Sequence, residues 1–146
     1  MLLDQFPRNI YRDTPKMLAY DSLALSLSHQ LIDSEMDLRI PAIMRSFTYL
    51  VIFWSCHFSI LRQPLEHSEN LNNQALSVIK FQQLYKDEPS ESPYKSIFKL
   101  FFGYAEGHHL AISKFGRFPH RNKLLGRLSP KEEVEYLNSK DFFGNN

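Results

Sequence analysis

Apolar residues along this chain recur mostly at three- and four-residue spacing, which predicts helices rather than strands. Thr14-Pro15 places a hydroxyl at N-cap and a proline at N1, where its missing N–H is not needed, so a first helix is expected from there to about Ser34. Leu18, Leu23, Leu25, Leu27, Leu31 and Ile32 are its apolar positions. Leu23, Leu25 and Leu27 also alternate as in a strand, but the length and the lack of β-branched residues favour helix. Pro41 opens a second helix, Ala42 to Leu50, with Ile43, Met44, Phe47 and Leu50 on its inner face. A third is expected from Ser68 to Tyr85, carried by Leu71, Ala75, Leu76, Val78, Ile79 and Leu84, with Ser68 as N-cap.

Lys86 to Pro93 is polar, holds two prolines, and reads as an exposed loop. Ser92-Pro93 repeats the N-cap and N1 signature. It predicts a fourth helix bearing Ile97, Leu100, Phe101, Tyr104, Ala105, His108 and Ile112 inward and ending near Gly116. Ser129-x-x-Glu132 has the form of a capping box and starts a last helix, Pro130 to Asn138. The expected fold class is all-α, a single domain of stacked helical hairpins.

Composition narrows the function classes. With 146 residues, 43% apolar content, twelve Phe and seven Tyr, the chain can bury a core. Its formal charge of +1 argues against a globally basic nucleic-acid binder. The single cysteine, Cys56, excludes a disulfide framework, and a cytoplasmic, reducing compartment is expected. The apolar run Phe47 to Leu61 covers fifteen residues, short of the roughly 20 that a spanning helix needs. No membrane span is therefore expected.

Charge is concentrated locally. Phe115 to Arg127 contains Arg117, Arg121, Lys123, Arg127 and His120 with no acid among them, and Phe6-Pro7-Arg8-Asn9 echoes its Phe-Pro pattern near the other end. A guanidinium offers a planar fork of donors that matches carboxylate or phosphate oxygens. Arg8, Asn9, Arg117, His120, Arg121, Asn122 and Arg127 are thus candidate ligands for an anionic small molecule or an acidic peptide. The competing reading is structural: these arginines pair with Asp4, Glu66, Glu69, Glu132 and Glu133 and tie the chain together. Asn122 is also placed to cap a short turn through Lys123 to Gly126.

His67, Glu69, His108 and His120 are candidates for general acid–base chemistry, since an imidazole beside a carboxylate can hold and move a proton. Their spacing matches no compact metal-ligand motif, and neither a metal nor a cofactor is expected. A binding module and an enzyme acting on a phosphorylated or carboxylated substrate therefore stand as alternatives.

Several motifs occur together and in order: Leu2-Leu-Asp-Gln-Phe-Pro-Arg-Asn9, Pro64-Leu-Glu-His-Ser-Glu69, Tyr104-Ala105, His108, Phe115-Gly-Arg-Phe-Pro-His-Arg-Asn122, Leu125-Gly-Arg127 and Ser129-x-x-Glu132. In these the chain resembles the family catalogued as domain of unknown function 924. The resemblance implies a helical fold similar to tetratricopeptide repeats and no assigned activity. Members of that family carry helical sequence ahead of the first motif, so an outer helix is expected to be missing here, which exposes apolar surface and invites self-association. Val51 to Gln63 reads as an insertion of thirteen residues. It is either an apolar extension of the second helix or a translated intron, since valine codons begin with GT and a glutamine codon can end in AG.

Overall fold

The computed structural model describes residues 10–12, 14–49 and 68–139. Its regular structure is helical: α1 (Asp21–Asp33), α2 (Ala42–Tyr49), α3 (Leu71–Asp87), α4 (Lys95–Phe115) and α5 (Lys131–Leu137), with 3₁₀ turns at Pro15–Leu18, Met36–Arg39 and Pro119–Arg121. The fold class is all-α. The Leu2–Asn9 motif, His67 and the whole Val51–Gln63 segment, Cys56 included, lie outside the described residues.

The expected helices are present, but their ends are set by other side chains. The Thr14 hydroxyl donates back to the Tyr11 carbonyl (2.8 Å) instead of capping, and Pro15 starts only a 3₁₀ turn. Non-helical Tyr20 then separates that turn from α1. Asn70, not Ser68, caps α3: its side-chain oxygen accepts from the amides of Asn72 (3.0 Å) and Asn73 (3.2 Å). Ser68 is occupied instead as acceptor from Asn73 Nδ2 (2.8 Å).

Ser92 holds the loop rather than the helix start, donating to the Glu88 carboxylate and accepting from the Tyr94 amide (3.2 Å), so α4 begins at Lys95. No capping box forms at α5, because the Ser129 hydroxyl turns away to accept from Asn122 Nδ2 (3.1 Å) and Pro130 takes the N-cap position. Gly116 does end α4 as expected, in the left-handed region (φ 67°), with its N–H on the Ile112 carbonyl (2.8 Å).

α3 and α4 form a helical hairpin, and Lys95 closes it. Its ammonium donates to the carbonyls of Tyr85 and Glu88 (2.6 Å each), placing a cation at the C-terminal end of α3, where the helix dipole favours one. The face that α3 buries is Gln74, Ser77, Phe81 and Leu84, whereas Leu71 and Ile79 point to solvent. Leu84 is buried and Leu76 and Val78 pack against the cluster, as the apolar spacing implies, but Gln74 and Ser77 are buried beyond its reach, beside the large aromatics Phe98 and Phe101 of α4 that fill the seam. Likewise α4 buries Phe98, Phe101, Ala105, His108, Ala111 and Ile112 and exposes Leu100.

α1 approaches through Ala24 and Ser28, leaving Leu23 and Leu27 outside, and Met44 of α2 is exposed too. Ser28 bridges the two helices by donating to the carbonyls of Ala24 (3.0 Å) and Thr48 (3.2 Å).

Two apolar clusters result, both served by α4. One gathers Tyr49, Phe81, Leu84, Phe98, Phe101 and Ala105; the other, Ala111, Ile112, Phe118 and Tyr136. At the edge of the first, fully buried Asp37 accepts from the Tyr49 hydroxyl and pairs with Lys80 (3.2 Å). Burial, reinforced by that carboxylate, pushes the Tyr49 phenol well above its usual pKa. Glu35, at φ 54°, makes the left-handed step that brings Asp37 inward.

Phe81 is the centre of the first cluster, fully buried and edge-on to Tyr49 (6.0 Å) and Phe101 (6.1 Å). Phe81→Ala is expected to cost about 3–5 kcal/mol of stability, measured by urea unfolding, against less than about 0.5 kcal/mol for Leu100→Gln on the exposed side of α4.

Candidate functional site

The basic segment folds into a compact turn because Gly116 reverses the chain out of α4 and Phe118 drops its ring into the second cluster. Pro119 starts the 3₁₀ turn, and the Arg127 N–H closes the following loop on the Asn122 carbonyl (2.8 Å), with Gly126 left-handed at φ 63°. Asn122 thereby contributes its carbonyl to the Lys123–Gly126 turn. Its side chain does something else.

Two carboxylates hold this turn from opposite sides. Glu69, just ahead of α3, receives the fork of Arg127: Nη1 meets Oε2 at 2.7 Å and Nη2 meets Oε1 at 3.0 Å. The Phe118 N–H donates to the same Oε1 (3.0 Å), and Arg127 Nη2 also reaches the Phe118 carbonyl (3.1 Å). Burial alone would push the Glu69 carboxyl up, but the hydrogen bonds from Arg127 and Phe118 and the nearby charges of Arg127 and Arg121 outweigh it and hold it below the usual carboxylate range. The pair is partly open to solvent, at 22% exposure for Arg127 and 25% for Glu69.

On the other side, buried Glu133 of α5 receives Arg117 through Nε (2.9 Å) and Nη2 (2.8 Å), both on Oε1, and Asn122 Nδ2 (2.5 Å) on Oε2. Arg117 Nη2 also donates to the Leu128 carbonyl (3.1 Å). α5 is thus pinned to the turn by a charge-assisted network that leaves Glu133 well satisfied.

Phe118 is ringed by groups able to carry positive charge. The Arg121 guanidinium lies over its face at 4.7 Å, His108 meets it edge-on at 5.5 Å, and the His120 ring is 5.4 Å away. His108 shares Nδ1 with the Tyr104 carbonyl (2.7 Å), one turn back along α4. Among the described residues, no group of three or more His, Cys, Asp or Glu converges as a metal site would require, and no helix is long and apolar enough to cross a membrane.

The sequence-derived candidates therefore divide. Glu69, His108, Arg117, His120, Arg121, Asn122 and Arg127 do meet around one turn. Arg8, Asn9 and His67 lie outside the described residues. The pairing of arginines with Glu69 and Glu133 follows the structural alternative, while Glu132 sits on the surface beside Lys114 (3.8 Å). What no residue pattern signalled is the part played by the Phe118 main chain, since an amide and a carbonyl are present at every position.

A lowered carboxyl pKa means that the Glu69 contacts stabilise the fold above the unfolded-chain value and are lost as pH falls through the folded value. Glu69→Gln is expected to cost about 1–3 kcal/mol at neutral pH by urea unfolding, with the difference from the parent shrinking in acid. A deficit of the same size at both pH values would show that the charge does not matter.

A family model described as a bacterial protein of unknown function, DUF924, matches residues 1–141. Among solved structures, a protein of unknown function from Agrobacterium tumefaciens is similar, with 33% sequence identity and a TM-score of 0.71. The match covers 93% of this chain and 62% of the other, so the chain spans less than two thirds of that protein's length. No curated protein matches. With the family model covering nearly every residue and the helical arrangement shared with that structure, the chain belongs to the DUF924 family.

Proposed function

We propose that the protein is a tetratricopeptide-like binding module that takes an anionic group, either a phosphorylated small molecule or an acidic peptide terminus, at the turn between α4 and α5. The observation that supports this reading is the Arg127 fork, which already grips one carboxylate through two nitrogens (2.7 and 3.0 Å) at a partly solvent-open position. A ligand oxyanion uses the same geometry. The internal Glu69 carboxylate stands where the ligand's oxygens would sit, and Arg121 lends its charge from alongside.

Arg117 and Glu133 supply the rigid wall behind the site. The four cations of residues 115–127 give that edge a positive field which draws anions in. An enzymatic role for His67, His108 or His120 has less support, because the His108 Nδ1 is engaged with a helix carbonyl rather than facing an open site.

The test is calorimetric titration with inorganic phosphate and with a short peptide ending in glutamate. Arg127→Lys keeps the charge and loses the fork, and is expected to weaken binding about tenfold or more. Glu69→Gln is expected to tighten binding, and added phosphate should raise its melting temperature more than the parent's. Anion binding that neither substitution changes, or none in any of the three proteins, would overturn the reading.

A further inference from the structure

The solvent side of α1 is apolar where an isolated surface helix would be polar. Leu23 (48% exposed) and Leu27 (42%) lie one turn apart on α1 and share a stripe, with Tyr20 (44%) just ahead of the helix. Met36 (51%) and Leu38 (54%), on the 3₁₀ turn after α1, extend the exposed apolar surface at its C-terminal end. Among the described residues α1 is anchored by its other side, through buried Ala24 and Ser28 and through Leu25 and Ile32 against the first cluster. Exposed apolar patches of this kind mark interaction surfaces.

The charges at the two ends say what fits it. Lys16, ahead of α1, lies over the Tyr11 ring (5.9 Å), and Asp33 and Glu35 stand at the opposite end. All three are exposed, and none makes an ion pair among the described residues. The sequence is symmetric about Leu25 in the relevant sense: Leu23 and Leu27 flank it by two positions, while Lys16 lies nine before it and Ser34, between the two acids, nine after. Two α1 helices packed antiparallel and crossing at Leu25 would set Leu23 against Leu27 of the second copy. They would also bring each Lys16 to the Asp33 and Glu35 end of the other. A parallel arrangement would put like charges together.

We propose that this face is an isologous dimer interface, in which α1 packs antiparallel on α1 of a second copy of the chain. The apolar stripe supplies the contact and the end charges fix its direction. The inference does not rest on the anion site, since none of the residues of that site belongs to this stripe.

Sedimentation equilibrium of the full chain over a concentration series tests it. The parent is expected to dimerise, and Leu23→Glu with Leu27→Glu to sediment as a monomer that keeps the cooperative thermal melt of the parent at concentrations too low to dimerise, since both side chains are exposed. Lys16→Glu should raise the dimer dissociation constant about tenfold. Adding Asp33→Lys and Glu35→Lys to Lys16→Glu exchanges the signs at both ends and should restore it. A parent that is monomeric at every concentration, a dimer that survives the double leucine substitution, or a Lys16→Glu defect that the exchange does not rescue would each overturn the proposal.

Discussion

The Glu69 carboxylate is the point on which the C-terminal third of the fold turns. One oxygen takes the Phe118 amide and an Arg127 nitrogen; the other takes the second nitrogen of the same fork. These contacts join the residues that lead into α3 to a turn that follows α4, across 49 and 58 positions of sequence. Without them the buried Phe118 amide would lack its acceptor, and the Phe118 ring would lose the restraint that seats it between His108 and Arg121. Glu133 repeats the device for α5. Two acids thus offset part of the positive charge of a segment that would otherwise repel itself, and both do so while meeting several donors at once, which is what makes burying a carboxylate tolerable.

The helical hairpin beneath this cluster is held by a different kind of force. Phe81, Phe98 and Phe101 fill the α3–α4 seam with apolar volume, and fully buried Gln74 and Ser77 occupy the space that those rings leave. Gln74 donates to the Ser68 carbonyl (2.8 Å), so a buried polar side chain on α3 also fixes the strand of residues that presents Glu69. Packing and site are therefore connected through the first turns of α3. A change in how α3 seats on α4 moves Ser68 and with it the carboxylate that Arg127 grips.

Element existence and order were legible in the sequence because helical spacing, prolines and Gly116 act locally. The basic segment was legible as well, since so many cations without a neighbouring acid demand carboxylates from elsewhere, and Glu69 and Glu133 were two of the five acids expected to supply them. The N-caps were not, and the inner faces only in part, since Phe101, Ala105, His108 and Ile112 of α4 are buried as expected. Thr14, Ser68, Ser92 and Ser129 each have the right hydroxyl for a cap, yet each is claimed by a partner the sequence does not display: the Tyr11 carbonyl, Asn73, Glu88 and Asn122. On α3, Leu76, Val78 and Leu84 were legible, but Gln74 and Ser77 were not, because they are buried by the aromatics of α4 rather than by their own hydrophobicity. Asp37 was invisible for the same reason, since its partners Tyr49 and Lys80 come from two other helices.

An internal carboxylate in an arginine fork has a consequence for any anion that binds there. The ligand does not meet a bare cation; it meets one whose charge is already balanced, and its affinity is the difference between two carboxylate or phosphate contacts with the same nitrogens. Glu69 is tethered, so it would compete at a high effective concentration and disfavour weak, singly charged anions. A dianion would hold an advantage there, because Glu69 brings only a single charge to the Arg127 fork. The same competition couples occupancy to structure: an anion that displaces Glu69 releases the Phe118 amide from its acceptor, and the turn between α4 and α5 then depends on the ligand for what the side chain had supplied.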